Sequence, residues 1–375
     1  MVADVTGGLL PPLTAIPPDL ASLADYERRA PSHLPPEHWR HIAEGAGEGV
    51  SLADNRRAFD RWRFLPRALA DLRGGSAAVD LPGGRHATPV IAAPLAYARL
   101  AHHDGDRAIV QAAAAIGVGT ILSTLSSTTL EEVAGAHAQA ARELGAAPTP
   151  LWFQLYLQPR RDDSLALVRR AEAAGYHAIV LTIDAGVKRS GMALPPGVEA
   201  ANLAGMERMR VTAGSGAGLF GSDLIEAAPR WEDLAWLRQA TGLPVIVKGM
   251  AVGQDLRRLI GEGADALVLS NHGGRVLDGV AAALDVLPMA QDVAGDWPIL
   301  LDGGIRSGTD VVKALCLGAR AVLVGRPILH GLAVAGLAGV AHVLQLLRTE
   351  TEAAMAQLGC PTVADLTPER LLRVG

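Results

Sequence analysis

Two clusters late in the chain carry the clearest chemical signal: Asp302-Gly303-Gly304-Ile305-Arg306 and, further on, Gly325-Arg326. Glycines let backbone N–H groups face a ligand, and the nearby guanidiniums add positive charge, so together they describe a phosphate site. Tight turns flanked by solvated arginines are the plainer reading of the same residues. Lys248 ends an apolar run, where a lysine either forms a Schiff base or places positive charge beside an anion that develops during reaction. His272 is of the residue type that acts as a general base near neutrality, and Asp184, ending another run, could orient its imidazole. Arg275 lies close behind His272 and has the fork that binds a carboxylate through two parallel hydrogen bonds. A base, a carboxylate clamp, a cation and a phosphate site suit redox or proton chemistry at the α-carbon of a small acid.

These residues need a scaffold that brings distant segments to one place, and the chain has one. From Thr88 onward short apolar runs alternate with Ala/Leu-rich helical stretches: TPVIAAP, GTILST, LWFQLY, AIVLTID, PVIVKG, ALVLSN, PILLDG and AVLVG. Most are continuously apolar, as expected of parallel strands covered on both faces, and the intervening segments are long enough for crossover helices. Eight such units predict an α/β fold, a closed (β/α)8 TIM barrel. In that fold the active site lies at the C-terminal strand ends, and polar residues gather there: Pro94-Leu95-Ala96-Tyr97, Ser123, Gln154, Tyr156, Thr182, Asp184, Lys248 and Ser270 precede the clusters already named. Residues 1–86 form an N-terminal helical extension followed by a Gly83-Gly84 hairpin that could close the barrel floor, and 87–375 form the barrel, the whole making one domain. About Ala185 to Trp231 is far longer than an ordinary connection and predicts a flap after the fourth strand.

Composition excludes other classes. With 49% hydrophobic residues the chain can bury a core and is not disordered. A net charge of -5 without a basic run argues against nucleic acid as a partner. Cys316 and Cys360 form no metal spacing, so no metal is expected, and unpaired thiols suit a cytoplasmic setting. The apolar stretch from Ile328 to Leu347 holds three glycines and two histidines and reads as a buried helix, not a membrane span. The surplus of 42 glycines predicts many tight turns or backbone approaching a ligand closely, the latter for the part of it at Gly273, Gly274, Gly303, Gly304 and Gly325.

The motifs SNHGGRVLD, LTID, PVIVKG, LLDGGIRSGTDVVKALCLGA and VLVGRP closely resemble the FMN-dependent 2-hydroxy acid oxidase and dehydrogenase family, which includes glycolate, lactate and hydroxymandelate oxidases and mandelate dehydrogenase. The resemblance covers nearly the whole chain, from LADYERRA through GAGEGVSLADNRRAF to the C-terminal helix. It implies FMN as cofactor and oxidation of an (S)-2-hydroxy acid to a 2-oxo acid, with O2 or another acceptor taking the electrons. It also implies His272 as base with Asp184, Arg275 on the substrate carboxylate, Tyr156 on the reacting oxygen and Lys248 facing the flavin. Ser123, Gln154, Thr182, Ser270 and the segment Pro94-Leu95-Ala96 would contact the flavin, while Asp302, Gly303, Gly304, Arg306, Gly325 and Arg326 would hold its ribityl phosphate. A homotetramer or octamer follows from the same likeness.

Departures from the family pattern bear on the substrate. His41 stands where glycolate oxidase-like members carry a carboxylate-binding tyrosine, Leu125 stands where some carry a pocket tryptophan, and Tyr97 also faces the pocket. After LTID the chain is shorter than many members, and Arg189 is the nearest match to a second carboxylate-clamping arginine. Ala96 matches an alanine of oxidase members and favours oxygen as acceptor over the quinone or carrier of a dehydrogenase, or a monooxygenase-like course. From other classes, a Lys248 Schiff-base aldolase and a non-catalytic phosphate-binding barrel use some of the same residues.

Overall fold

The computed structural model describes residues 8–185, 193–207, 225 and 228–374. Eight parallel strands close into a barrel: β1 (Val90–Ala92), β2 (Gly119–Ser123), β3 (Leu151–Leu155), β4 (Ala178–Thr182), β5 (Val245–Gly249), β6 (Ala266–Ser270), β7 (Ile299–Asp302) and β8 (Ala321–Val324). Closure is made by β8 on β1, with Val322, Leu323 and Val324 opposite Val90, Ile91 and Ala92. The strands are buried along almost their whole length, which is why they read as apolar runs without alternation. Inward-facing residues such as Ile91, Ile121, Trp152, Val180, Ile246, Val268 and Leu323 form one cluster inside the barrel. Their neighbours along each strand join a larger core shared with the surrounding helices. The side-chain period of two thus sorts each strand between these two cores.

The helices are α1 (Leu23–Arg29), α2 (Pro36–Ala43), α3 (Val50–Asp60), α4 (Gly105–Ile116), α5 (Leu130–Leu144), α6 (Arg161–Ala173), α7 (Trp231–Ala240), α8 (Gly253–Gly261), α9 (Ala283–Ala294), α10 (Gly308–Cys316) and α11 (Arg326–Gln357). Ser22 opens α1 with a capping box: it accepts from the Asp25 N–H, and Asp25 accepts from the Ser22 N–H at 2.7 Å. Tyr26 on α1 is buried and meets His342 of α11 at 2.9 Å, so the N-terminal extension packs on the last helix. The expected helix over Ile328 to Leu347 is part of α11, but Ala335 and Gly336 leave helical geometry and bend it sharply. The bend lets Gly331 and Gly339 meet backbone to backbone, where a side chain on either would collide with the other segment. By length and composition α11 could cross a membrane, yet most of its apolar stretch is buried against the barrel. A short strand near the C-terminus, Leu371–Arg373, pairs antiparallel with Trp62–Phe64 and ties the C-terminal segment to the N-terminal extension.

The Gly83-Gly84 hairpin forms as expected, from Val79–Leu81 and Gly84–His86, and Val79 and Leu81 join the inner barrel cluster to plug the floor. His86 lies there edge-on to Trp152, 5.3 Å between ring centres, and is 1% exposed. Burial, reinforced by His177, pulls its imidazole down to about 4, and burial likewise takes His330 down to about 3. Both thiols are buried and free, with burial pushing Cys316 up to about 12, which makes it unreactive.

A histidine depressed by folding contributes its full stability above the unfolded value near 6.5 and loses it as pH falls toward the folded value. For His86 the loss reaches about 2 kcal/mol at pH 5. His86→Phe keeps the aromatic contact and removes the titration, so its melting temperature should fall less between pH 7 and pH 5 than that of the wild type. Equal falls in thermal denaturation would show that His86 does not carry this penalty.

Candidate active site

The C-terminal strand ends surround a cavity of about 860 Å³. Its inner wall holds Ser123, Gln154, Thr182 and Lys248 from successive strands, with Pro94, Leu95 and Ala96 following β1. Tyr97, Tyr156, His41, His272 and Arg275 reach it near the outer end, and Asp302, Gly303, Gly304, Arg306, Gly325 and Arg326 form the side between β7 and β8. All but three of the expected site residues therefore border one space. Asp184 and Ser270 stand behind its wall, and Arg189 lies outside the described residues.

Lys248 is 4% exposed, and its Nζ bonds to Asp302 Oδ2 at 2.8 Å and to Ser270 Oγ at 2.9 Å. Burial alone would lower its pKa, but the charges of Asp302 and Asp184 outweigh that and raise it above the ordinary lysine value. A Schiff-base lysine must be neutral to attack, so this environment removes the aldolase reading and leaves a fixed positive charge. Burial would raise both carboxylates, yet for each the cation and hydrogen bonds win: His272 and Lys248 hold Asp184 below the ordinary range, and Lys248 and Ser270 do so for Asp302. Ser270, expected among the cofactor contacts, does not itself border the cavity and links the groups that do. Its hydroxyl donates to Asp302 Oδ2 at 2.7 Å and accepts from Lys248 and from the His272 N–H at 2.9 Å.

His272 sits in left-handed backbone, φ 57°, which is costly for a residue with a Cβ. It is held there by Ser270 at its N–H and by Asp184 Oδ1, 2.9 Å from its Nδ1. With Nδ1–H donating to the carboxylate, Nε2 is the ring nitrogen left to take a proton. Arg275 is fixed by carbonyls at the end of α2, donating to Ile42 O and Glu44 O at 3.0 Å and to His41 O. Arg326 likewise donates to Ile42 O and Gly273 O. Neither arginine forms an ion pair among the described residues, whereas Arg306 pairs with Glu27 at 3.0 Å. Burial lowers Arg326, and the nearby charges of Arg275 and Arg306 lower it further. Two half-buried guanidiniums, hydrogen-bonded to carbonyls and without an ion pair among the described residues, make this wall receptive to anions.

The inner wall also fits a flavin. Gln154 is 1% exposed and accepts from Ser123 Oγ and the Thr124 N–H with Oε1, which leaves its Nε2 without a partner. Thr182 Oγ1 is buried and equally unpaired. Unsatisfied buried polar atoms cost about 1–3 kcal/mol each unless a ligand meets them. A flavin's pyrimidine edge carries alternating acceptors and donors, which suits Gln154, Thr182 and the Lys248 ammonium. The phosphate then belongs at the far side, where Gly303, Gly304, Arg306, Gly325 and Arg326 border the cavity between β7 and β8.

The glycine expectation needs correction. At Gly274 an added Cβ would lie 2.6 Å from the Leu52 N, and at Gly304 it would run into the Asn55 carbonyl and the Phe59 ring. Both have positive φ, so α3, not a ligand, demands these glycines. At Gly273 the close neighbour is the Arg326 guanidinium, and at Gly303 and Gly325 only ordinary contacts arise.

Several residues that build the site gave no sequence signal. Asn55 on α3 and Asn271 exchange two amide hydrogen bonds, 2.9 and 3.0 Å, with Asn271 also accepting from the Gly274 N–H. Arg56 donates to the Gly304 carbonyl and pairs with Asp310 at 2.7 Å. Of the predicted flap, residues 194–207 form the outer wall, and Asn202 is fully buried beneath it. Asparagines are common in loops, and only the fold reveals which are paired.

Comparison with known proteins agrees with this geometry. The family described as FMN-dependent dehydrogenase matches residues 30–373. The L-lactate oxidase of Alicycliphilus denitrificans is 45% identical over 369 residues, 96% of this chain and 98% of that protein. The 4-hydroxymandelate oxidase of Amycolatopsis orientalis is 44% identical over 91% of this chain and 95% of its own, and human 2-hydroxyacid oxidase 1 is 39% identical over 92% and 95%. A mandelate oxidase structure with (S)-2-phenylpropionate superposes with a TM-score of 0.81 at 40% identity, covering 95% of this chain and 99% of that one. With the barrel, the anion-seeking arginines and the unpaired flavin-facing donors in place, these matches establish that the chain belongs to the FMN-dependent dehydrogenase family.

Proposed function

We propose that the protein oxidises a 2-hydroxy acid to the 2-oxo acid and passes the electrons to O2, forming H2O2. The single observation that carries the reading is the His272–Asp184 pair at 2.9 Å on the same cavity wall as Arg275 and Lys248. Bound FMN supplies the two-electron oxidant. Arg275, held by carbonyl oxygens and without an ion pair among the described residues, presents its fork to the substrate carboxylate. The carboxylate contact sets the hydroxyl-bearing carbon toward His272 and Tyr156. Burial and the charge of Asp184 push the Tyr156 phenol well above its ordinary value, so it remains a hydrogen-bond donor to the reacting oxygen. His272 Nε2 receives the proton released as the alcohol becomes a ketone, and Asp184 stabilises the imidazolium and fixes the tautomer. Lys248 keeps a positive charge beside the position where the pyrimidine ring gains electrons.

Ala96 on the cavity wall and the oxidase names of the relatives support O2 as acceptor. His41 and Tyr97 border the substrate end and would adjust to the acid's side chain. A cytoplasmic homo-oligomer, tetramer or octamer, accompanies this reading, and two buried, unpaired thiols are in keeping with it.

His272→Ala should retain its flavin while substrate-driven flavin bleaching under anaerobic conditions slows by about 10²- to 10⁴-fold, the usual contribution of a positioned base. Stopped-flow reduction at a rate near that of the wild type would remove His272 from the role. In air, one H2O2 should accumulate for each 2-oxo acid formed. A yield near zero with quinone-supported turnover would assign a dehydrogenase, and release of CO2 with a shortened acid would assign a monooxygenase.

A further inference from the structure

Asn202 lies in the connection after β4, far from the catalytic strand ends in sequence, and is completely buried. Its Oδ1 accepts from the Leu130 N–H at 2.8 Å. Leu130 is the first residue of α5, whose N–H has no partner within the helix, and Thr129 is already engaged with the Glu132 N–H. The Asn202 Nδ2 donates to the Ser123 and Thr124 carbonyls at 3.3 and 3.4 Å. Its backbone is held too: the Ala201 N–H donates to Ser126 O at 2.9 Å, and Arg170, paired with Glu131, donates to Asn202 O at 2.9 Å. One side chain therefore joins three elements: the end of β2, the start of α5 and the flap.

The residues beside it face the cavity. Leu203, Ala204 and Met206 border it from the flap, and Leu125 borders it from the loop after β2 to which Asn202 is tied. Leu125 O in turn accepts from the Tyr97 N–H at 2.9 Å, which brings Tyr97 into the same unit. We propose that Asn202 is a positioning residue that makes the segment 200–206 a fixed apolar wall of the substrate pocket, and that this wall selects 2-hydroxy acids by their apolar side chains. The substrate part rests on the 2-hydroxy acid reading above; the anchoring does not. An acid without a side chain, glycolate, has nothing to place against the wall, whereas 2-hydroxyhexanoate has four apolar carbons to place there. Selectivity therefore arises from a wall set in position before binding, because ordering it at each turnover would weaken substrate affinity.

Asn202→Asp is the discriminating variant. It keeps the acceptor for the Leu130 N–H at a helix start, where a negative charge is favourable, but turns two donated bonds into contacts between carboxylate and carbonyl oxygens. In the FMN-loaded protein, kcat/KM for 2-hydroxyhexanoate should fall about 10-fold or more through KM with kcat kept, while glycolate changes less than about 3-fold. Hydrogen exchange of the peptide covering 196–207 should quicken, with flavin content unchanged. Equal losses for both acids, or unchanged exchange, would overturn the proposal. Leu203→Ala, which leaves the anchor intact, should lower the preference for 2-hydroxyhexanoate over glycolate; an unaltered preference would equally overturn it, whether or not the Asn202 variant folds. If neither acid bleaches the wild-type flavin but mandelate does, the selectivity claim fails and the 2-hydroxy acid reading stands; if none of the three bleaches it, that reading fails too, and the exchange measurement still decides the anchor.

Discussion

A buried lysine charge organises the mouth of this barrel. Taking an ammonium out of water costs several kcal/mol, and Lys248 is tolerable only because Asp302 meets it at 2.8 Å with Ser270 completing the shell. That requirement draws β5, β6 and β7 into a single polar network at their C-terminal ends. Through the Ser270 hydroxyl the same network reaches the His272 N–H, and through the charge of Lys248 it keeps Asp184 ionised to orient the imidazole. The cation beside the cofactor and the base beside the substrate are thus supported by one set of bonds.

The N-terminal extension is part of this arrangement. Asn55 and Asn271 exchange amide hydrogen bonds in a buried setting, where losing one partner leaves the other unsatisfied. The bond pair pins the loop that carries His272 and Arg275 onto α3, and the close approach of α3 allows no side chain at Gly274 or Gly304. The end of α2 serves the same loop differently, by turning its last carbonyls onto Arg275 and Arg326. These guanidiniums are oriented by neutral oxygens and so keep their charge available for a carboxylate and a phosphate.

The outer side of the pocket follows another logic. Among the described residues there, one 3-10 turn, Ala201–Leu203, is all the regular structure that places side chains, and fixing a long connection carries a large conformational cost. Backbone bonds from Ala201 and Asn202 to the loop after β2 and to α6 offset that cost in one short stretch, where the apolar wall is found. The pocket therefore joins a rigid catalytic face, built on strands, to a selective face that depends on a few buried polar bonds.

Much of this was legible in the sequence. Eight apolar runs ending in polar residues specify a barrel and its catalytic face, because a strand buried on both sides leaves a periodic trace and the fold directs every strand end to one mouth. The motif residues His272, Arg275, Lys248 and Gln154 were found for that reason. Tertiary structure alone decided the rest. It made Lys248 a fixed charge instead of a nucleophile, since charge state depends on neighbours brought from other strands. It assigned Ser270 to the support of His272 and traced two glycines to the packing of α3. It paired Asn55 with Asn271 and placed Asn202 beneath the flap, contacts between residues far apart in sequence whose types carry no periodic or compositional signal. The sequence by itself determined which groups reach the mouth, because strand period and motif spacing are local. What each group is free to do there was decided by burial and long-range hydrogen bonding, which exist only once the barrel has closed.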